Sequence, residues 1–310
     1  MFARFKAKRV PGVMAIVPFS DRIDLAHVER SPGMRPVLRV LDSFKHGTQL
    51  SDSLQRLSSV RALRAACNTS LMATGEYQIT QMEPPAVPLE ERCNAVRWKL
   101  KEQVDFPVDT ASIGVLDVPM EGARQPSIFA VAAAGDKVGH LMTAFAEAKV
   151  PLDAIDIPEL AQRNISALLE DENRGLALLS LGEAGSLLTI TFRGELYLTR
   201  RTEISAAQLA AADAESRERL FERLMLELQR TLDNFDRQFG FVTVSALVVS
   251  ACPAVDGLLP YLAENLYVPV RPLDLTAVID CSAIPELQNP ERQAQCLMSI
   301  GAALREGSAA

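Results

Sequence analysis

Apolar and polar positions in this chain follow two periods, and the period switches repeatedly from one segment to the next. Val13–Val17 and Ile23–Glu29 read as two short strands, and Ser51–Ala66 as a helix with Leu54, Leu57 and Leu63 on one face. Leu71–Ala73 and Gln78–Met82 read as extended chain. Met82–Pro88 is a rigid connector, because proline fixes φ, and a helix follows over Leu89–Val104. Ile113–Val118 and Ile128–Ala134 read as strands, and Asp136–Ala148 as a helix. Pro151–Ile157 returns as extended chain and Glu159–Glu170 is a connecting helix. Asp171–Gly175 is the candidate boundary between two halves.

The second half opens on a buried strand, Leu176–Leu181. In the hairpin that follows, Leu188, Ile190 and Phe192 alternate with threonines, and Gly194 makes the turn. Ser205 and Gln208 have capping-box spacing. They are expected to open a long helix striped by Leu220, Leu224, Leu228, Leu232, Phe235 and Phe239, with Gly240 placed to stop it. The stretch LVVSACPAVDGLLPYLAENLYVPVRPL, Leu247–Leu273, reads as strand, turn, helix and a second extended segment. Asn289 and Pro290 cap a closing helix with Leu297, Ile300 and Leu304 as its stripe. Strands alternating with helices in both halves predict an α/β protein of two similar units.

Composition bounds what such a protein does. The chain has 310 residues, 48% hydrophobic and 23% charged, enough for a sizeable core. At about 150 residues per domain the length suggests about two domains. A net charge of −7 argues against broad nucleic-acid binding, which needs a basic footprint. Cys67, Cys93, Cys252, Cys281 and Cys296 are scattered, odd in number and without a C-x-x-C. They read as reduced core residues of a cytosolic protein. His27, His46 and His140 lie far apart, so no metal site is expected. No G-x-S-x-G elbow, P-loop or G-x-G-x-x-G is present. The N-terminus carries Arg4, Lys6, Lys8 and Arg9. It reads either as a basic tail in solution or as a weak tether to anionic lipid, with Phe2 and Phe5 dipping into the interface.

On a helical wheel, Leu89, Cys93, Val96, Leu100 and Val104 fall in one stripe. Trp98, the one tryptophan, lies nearly opposite, beside Asn94, Lys101 and Glu102. Either another layer packs over it, or an amphipathic ring among polar neighbours marks an interaction surface.

Four segments, in order, resemble the PilM and MshI family of type IV pilus assembly proteins. They are AVRWKLKEQVDFPVDTASIGVLDV (Ala95–Val118), DAIDIP (Asp153–Pro158), LLTITFRGELYLTR (Leu187–Arg200) and ELQRTLDNFDRQFGFVTVSALVVS (Glu227–Ser250). The hairpin and the long helix look more like MshI. The resemblance covers nearly the whole chain and implies an actin-like ATPase (ribonuclease H-like) α/β fold of two halves, similar to the division protein FtsA. The first half would be 1–170, with an inserted 1C-type subdomain at about 68–155. The second would be 171–310, its C-terminal helix 290–305 packing back on the first half. The family implies a place at the cytoplasmic face of the inner membrane. There it grips the N-terminal tail of a single-span partner, PilN or an MshJ-like equivalent. Asn94, Trp98, Lys101, Glu102, Phe106 and Pro107 belong to the insert and are the candidate partner-binding residues.

The resemblance also implies three nucleotide-binding turns, and each departs from the family pattern. In the first, Val17 stands where the family has aspartate and Phe19 where it has glycine. In the second, Ser180 replaces the aspartate and Gly182 survives. In the third, Ser250-Ala251-Cys252-Pro253 replaces a glycine run. Backbone N–H groups reach phosphate only where side chains are absent, so these turns are expected to bind no Mg-ATP. Asp21, Asp24 and Glu183 are the acids left as substitute metal ligands. The expected function is a non-catalytic adaptor of MSHA-like pilus assembly without cofactor or metal. The alternatives are an active ATP-binding or filament-forming ATPase of the same fold, or a GspL-like cytoplasmic domain of type II secretion. That protein continues into a membrane span, whereas this sequence ends at Glu306-Gly307-Ser308-Ala309-Ala310 without one.

Overall fold

Three sheets carry the chain in the computed structural model, which describes residues 11–57, 63, 67–120, 126–252 and 255–306. Contacts divide it into two units. The first comprises the described residues of Met1–Met34, Leu38–Pro158 and Ala302–Ala310; the second comprises Arg35–Val37 and those of Glu159–Gly301.

The first unit holds β1 (Val13–Pro18), β2 (Arg22–Glu29), β3 (Val37–Lys45), α1 (Leu50–Leu57) and β4 (Cys67–Leu71). An excursion follows: β5 (Tyr77–Met82), α2 (Arg92–Leu100), β6 (Ser112–Val118), β7 (Ser127–Ala133) and α3 (Gly135–Glu147). The chain then returns as β8 (Ala154–Asp156). The main sheet runs β3-β2-β1-β4-β8, while β5-β7-β6 form a separate antiparallel sheet. Both ends of the segment expected to be inserted, β4 and β8, therefore belong to the main sheet. The part of the helix expected beyond Leu57 falls largely outside the described residues.

The second unit repeats the plan. After α4 (Pro158–Leu169) come β9 (Gly175–Gly182), β10 (Gly185–Phe192), β11 (Glu195–Thr202), α5 (Ala206–Ala211) and α6 (Ala214–Gln238). Then follow β12 (Val244–Val249), α7 (Leu258–Asn265), β13 (Val270–Pro272) and α8 (Pro290–Ala303). The strand order is β11-β10-β9-β12-β13. In each unit the first strand pairs antiparallel with the second and parallel with the strand reached by a crossover.

Two expectations about helices change. The capping box at Ser205 and Gln208 is formed, but it opens only the short α5. Ala212 is extended, and Asp213 caps α6 by accepting from Ser216 N–H at 2.8 Å. The tryptophan helix begins at Arg92, after a 3₁₀ turn at Leu89–Glu91, and ends at Leu100. The tighter turn carries Leu89 and Cys93 off the buried stripe. Leu89 is 71% exposed, and Cys93 is an exposed thiol rather than a core residue.

α4 turns a polar stripe inward, with Glu159, Gln162 and Ser166 all fully buried. Gln162 Nε2 donates to the Leu178 and Leu187 carbonyls and to Thr189 Oγ1, at 2.7, 3.1 and 2.9 Å. Glu159 pairs with Arg201 at 2.9 Å. Glu170, at the end of this helix, accepts from Gly194 N–H at 3.0 Å. Burial pushes its carboxyl above the usual range. These bonds hold α4 in the second unit, and the break falls at Pro158/Glu159 rather than at Asp171–Gly175.

α8 closes on α4 through glycine: a Cβ on Gly301 would lie 2.2 Å from the Ala161 carbonyl oxygen. Gly301→Ala is therefore expected to lower stability by about 2 kcal/mol or more through overpacking. Gly139, in α3, meets nothing within 4 Å. Gly139→Ala should stabilise by about 0.5–1 kcal/mol. Urea midpoints moving the same way in both variants would contradict this reading. Among the described residues no helix is long and apolar enough to cross a membrane.

Candidate functional site

The β1–β2 connection is a tight hairpin in which Phe19 N–H donates to the Arg22 carbonyl at 2.7 Å. Val17, where the resemblance implies an aspartate, is buried in the sheet. The Arg22 guanidinium lies 4.3 Å from the Phe19 ring centroid. Arg22 Nε reaches both Asp24 oxygens, at 3.2 and 3.3 Å, and Ser43 Oγ donates to Asp24 Oδ1 at 2.6 Å. Asp24 is fully buried, so this acid is committed inside the protein. Asp21 is exposed and pairs with Arg22 at 3.2 Å.

In the second unit the other two turns are neighbours, because β9 and β12 run parallel with Leu179 opposite Val249. Gly182 and Gly185 pair across a two-residue turn made by the exposed Glu183 and Ala184. Gly185 has φ +131°, and a Cβ there would lie 2.2 Å from the Thr202 carbonyl oxygen. This glycine is demanded by the β11 edge. Ser180 Oγ donates inward to Gln162 Oε1 at 2.7 Å. Ser250 Oγ accepts from Leu181 N–H at 3.3 Å. Burial pushes the half-buried Cys252 thiol up to about 11, which keeps it protonated at neutral pH. Pro253 lies outside the described residues.

A cavity of about 500 Å³ opens beside the third turn, lined by Ala251, Cys252, Leu258, Asp274, Thr276 and Gln293 among others. Two of its polar side chains, Asp274 and Gln293, are already hydrogen-bonded within the protein. Asp274 Oδ1 accepts from Thr276 N–H and Oγ1 at 3.0 and 2.6 Å, and Gln293 Oε1 accepts from Leu275 N–H at 2.8 Å. The Thr276 hydroxyl is the main cause holding Asp274 below the usual carboxylate range. No lysine or arginine lines this cavity among the described residues. The Asp-x-Thr spacing was readable as a local cap; nothing in the sequence marked Gln293. Among the described residues, no group of three or more His, Cys, Asp or Glu is arranged to hold a metal ion.

The third candidate surface is on the separate sheet of the first unit. Val96, Leu100 and Val108 pack with Ile128, Ala130 and Ala132, with Met82, Val104, Phe106, Ile113 and Val115 against them. Arg97 Nη1 donates to the carbonyls of Val108, Asp109 and Ala111 and so fixes the loop after α2. Trp98 is 68% exposed, with Lys101 Nζ 5.7 Å from its ring centroid. Asn94, Lys101, Glu102 and Pro107 are exposed as well, whereas Phe106 turns into the core. No further layer covers Trp98 among the described residues. The sheet's other face, missed in the sequence, carries half-buried Ile79, Leu116 and Val131 beside exposed Gly114. Its signal was the second set of alternate residues in β6 and β7.

No protein-family model and no curated protein sequence matches this chain. Solved structures do. It is similar to the PilM-PilN type IV pilus biogenesis complex, at TM-score 0.73 and 19% identity over 96% of this chain and 98% of that one. It is similar to the cytoplasmic domain of EpsL, an inner-membrane component of the type II secretion system of Vibrio cholerae. That match has TM-score 0.51 and 12% identity over 95% of this chain and 96% of the other. A Bacteroides thetaiotaomicron protein with an actin-like ATPase fold matches at TM-score 0.51 and 12% identity over 93% and 99%. The chain has the actin-like ATPase fold.

Proposed function

We propose that this chain is a non-catalytic adaptor of type IV pilus assembly, of the MSHA type or a near relative. It would hold the cytoplasmic N-terminal tail of a PilN-like or MshJ-like single-span membrane protein at the cytoplasmic face of the inner membrane. The observation that carries the reading is Trp98, an exposed ring on the fixed α2 helix beside Asn94 and Lys101. Desolvating such a ring is what a tail-binding hot spot needs. The likeness to the solved PilM-PilN complex supports this choice of partner.

The residues at the three turns do not fit Mg-ATP. The first turn spends its Phe19 N–H on Arg22 and buries Asp24. The second points Ser180 inward, and the cavity at the third offers an acid and no basic side chain. Calorimetry and thermal shift with millimolar Mg-ATP are expected to show no heat and no stabilisation. A ligand at a hundredfold excess over its Kd would add about 2.7 kcal/mol. A clear shift would return the active ATPase, with Asp21, Asp24 and Glu183 as the first residues to replace.

The likeness to EpsL supports a second reading, a GspL-like secretion component. Synthetic tails of the PilN-like and of the type II secretion partner, titrated side by side into the purified chain, separate the two. Binding of the secretion tail alone overturns the pilus assignment.

A further inference from the structure

We propose that two copies of this chain pair edge to edge through β6, antiparallel about Val115, so that their two small sheets join into one. The contact uses none of the residues assigned to the partner's tail, and it does not depend on the adaptor reading.

β6 is the outer strand of the β5-β7-β6 sheet, and among the described residues no strand pairs with its outer side. Its open backbone groups can be named. Ala134 N–H donates to the Glu76 carbonyl at 3.1 Å, so the Glu76–Ala134 pair is hydrogen-bonded. Bonded and unbonded pairs alternate along an antiparallel ladder. Ala132, Ala130 and Ile128 therefore bond β5, while Ala133, Val131, Phe129 and Ser127 bond β6. Gly114 and Leu116 face Val131 and Phe129, so they bond inward. Ile113, Val115 and Asp117 are left with N–H and C=O directed outward. The edge is closed at both ends: Arg97 Nη1 takes the Ala111 carbonyl at 2.8 Å, and Pro119 has no N–H.

Such an edge is normally guarded by charge or proline. β3 carries Arg39, Asp42 and Lys45; β11 carries Glu195, Arg200 and Arg201; and β5 runs into Pro84 and Pro85. β6 has Asp117 as its one charge, held by Arg92 at 2.6 Å. It also has exposed Gly114 in mid-strand, which weakens a strand and marks a bulge or a close backbone approach. There is no bulge, because the register with β7 is continuous. Space does not demand the glycine either: a Cβ there would meet only Val131 Cβ, at 3.9 Å. A second strand laid along this edge gives the glycine a role.

A second copy of β6 fits by its own register. A two-fold axis at Val115 pairs all seven residues of the strand, Ser112 with Val118, Ile113 with Asp117 and Gly114 with Leu116. Ile113, Val115 and Asp117 then exchange both backbone groups with the partner copy. Gly114 and Leu116 meet in an unbonded pair, where strands lie closest, so half-buried Leu116 covers the bare glycine backbone. The two Asp117 carboxylates fall at opposite ends, each already neutralised by Arg92, and no like charges meet. Seven residues a side fall well short of the ~20–30 of a standard interface, so the pairing is weak and concentration-dependent.

The test is sedimentation velocity of the full chain over its soluble concentration range, where a monomer–dimer equilibrium is expected. Gly114→Lys should weaken it about tenfold or more, because residues diagonal across the pair lie ~7–8 Å apart and the two introduced ammonium groups repel. Its unfolding midpoint should equal or exceed the parent's, since glycine leaves the strand. Val115→Pro removes an outward N–H, leaves the β7 ladder whole and should also give monomers. Gly114→Lys mixed with Gly114→Glu should restore pairing between the two variants, which reads out the register. A chain that stays monomeric throughout, or a dimer indifferent to Gly114→Lys and Val115→Pro, overturns the proposal. So does a monomer whose binding of the PilN-like tail is abolished by Gly114→Lys, which would give the edge to the tail.

Discussion

Arg22→Met should cost the protein about 3 kcal/mol. Asp24 has no exposed surface, and Arg22 Nε lies 3.2 and 3.3 Å from its two oxygens. Removing one partner of a buried pair leaves the other as an uncompensated charge, a loss of about 3–5 kcal/mol in measured cases. The lower end applies here because the Arg22 side chain keeps 16% exposure, so some water reaches the pair. Methionine retains most of the length over Phe19 and therefore separates charge from packing. Adding Asp24→Asn to Arg22→Met should restore most of the loss, since a neutral amide still takes the Ser43 hydroxyl. Urea unfolding of the two single variants and the double variant measures this. An unchanged midpoint in Arg22→Met would mean that Asp24 finds its compensation elsewhere. The first turn would then be less closed than its geometry indicates.

That turn also marks how far the sequence could be read. Val17 and Phe19 were legible as departures from the residues that the resemblance implies at this turn. The contacts that form there depend on Ser43, which lies on β3, a strand the hydrophobic pattern did not reveal. VLRVLDSFK places buried Leu38 and Leu41 three residues apart, because an edge strand is covered unevenly along its length. The period-two signal was lost there, whereas the β9–β10–β11 meander, covered on a continuous face, was plain. Local capping was legible in chemistry but not in consequence. Ser205 and Gln208 do form their box, yet Asp213, followed by Glu215, was the stronger start signal for the long helix. The polar stripe of Glu159, Gln162, Ser166 and Glu170 repeats at helical spacing and would ordinarily mark a solvated face. Its partners make the stripe internal: Ser180 in β9 and Thr189 in β10 bond Gln162, and Arg201 in β11 pairs with Glu159. The exposure of Trp98 was legible as one of two outcomes. The burial of Phe106 was not, because it follows from Arg97 holding the loop carbonyls.

Trp98→Ala and Phe106→Ala are therefore expected to fail differently. With a synthetic copy of the PilN-like tail as ligand, Trp98→Ala should weaken binding by about thirtyfold or more, the scale of a central aromatic hot spot. Its unfolding midpoint should stay within about 0.5 kcal/mol of the parent, because an exposed ring leaves no cavity. Phe106 packs half-buried against Val96, Leu100 and Val108. Phe106→Ala should lose about 2 kcal/mol of stability, less than the 3–5 of a fully buried phenylalanine. Its effect on tail affinity should be small wherever the protein remains folded. Lys101→Ala belongs with Trp98: the ammonium 5.7 Å from the ring orients it, so a severalfold loss of affinity with intact folding is expected. Unchanged tail binding by Trp98→Ala would remove this surface from the interface. The half-buried Ile79, Leu116 and Val131 on the opposite face of the same sheet would then be the place to mutate, with Gly114→Trp as an obstruction. Loss of binding in that variant alone would move the tail across the sheet and leave the adaptor reading in place.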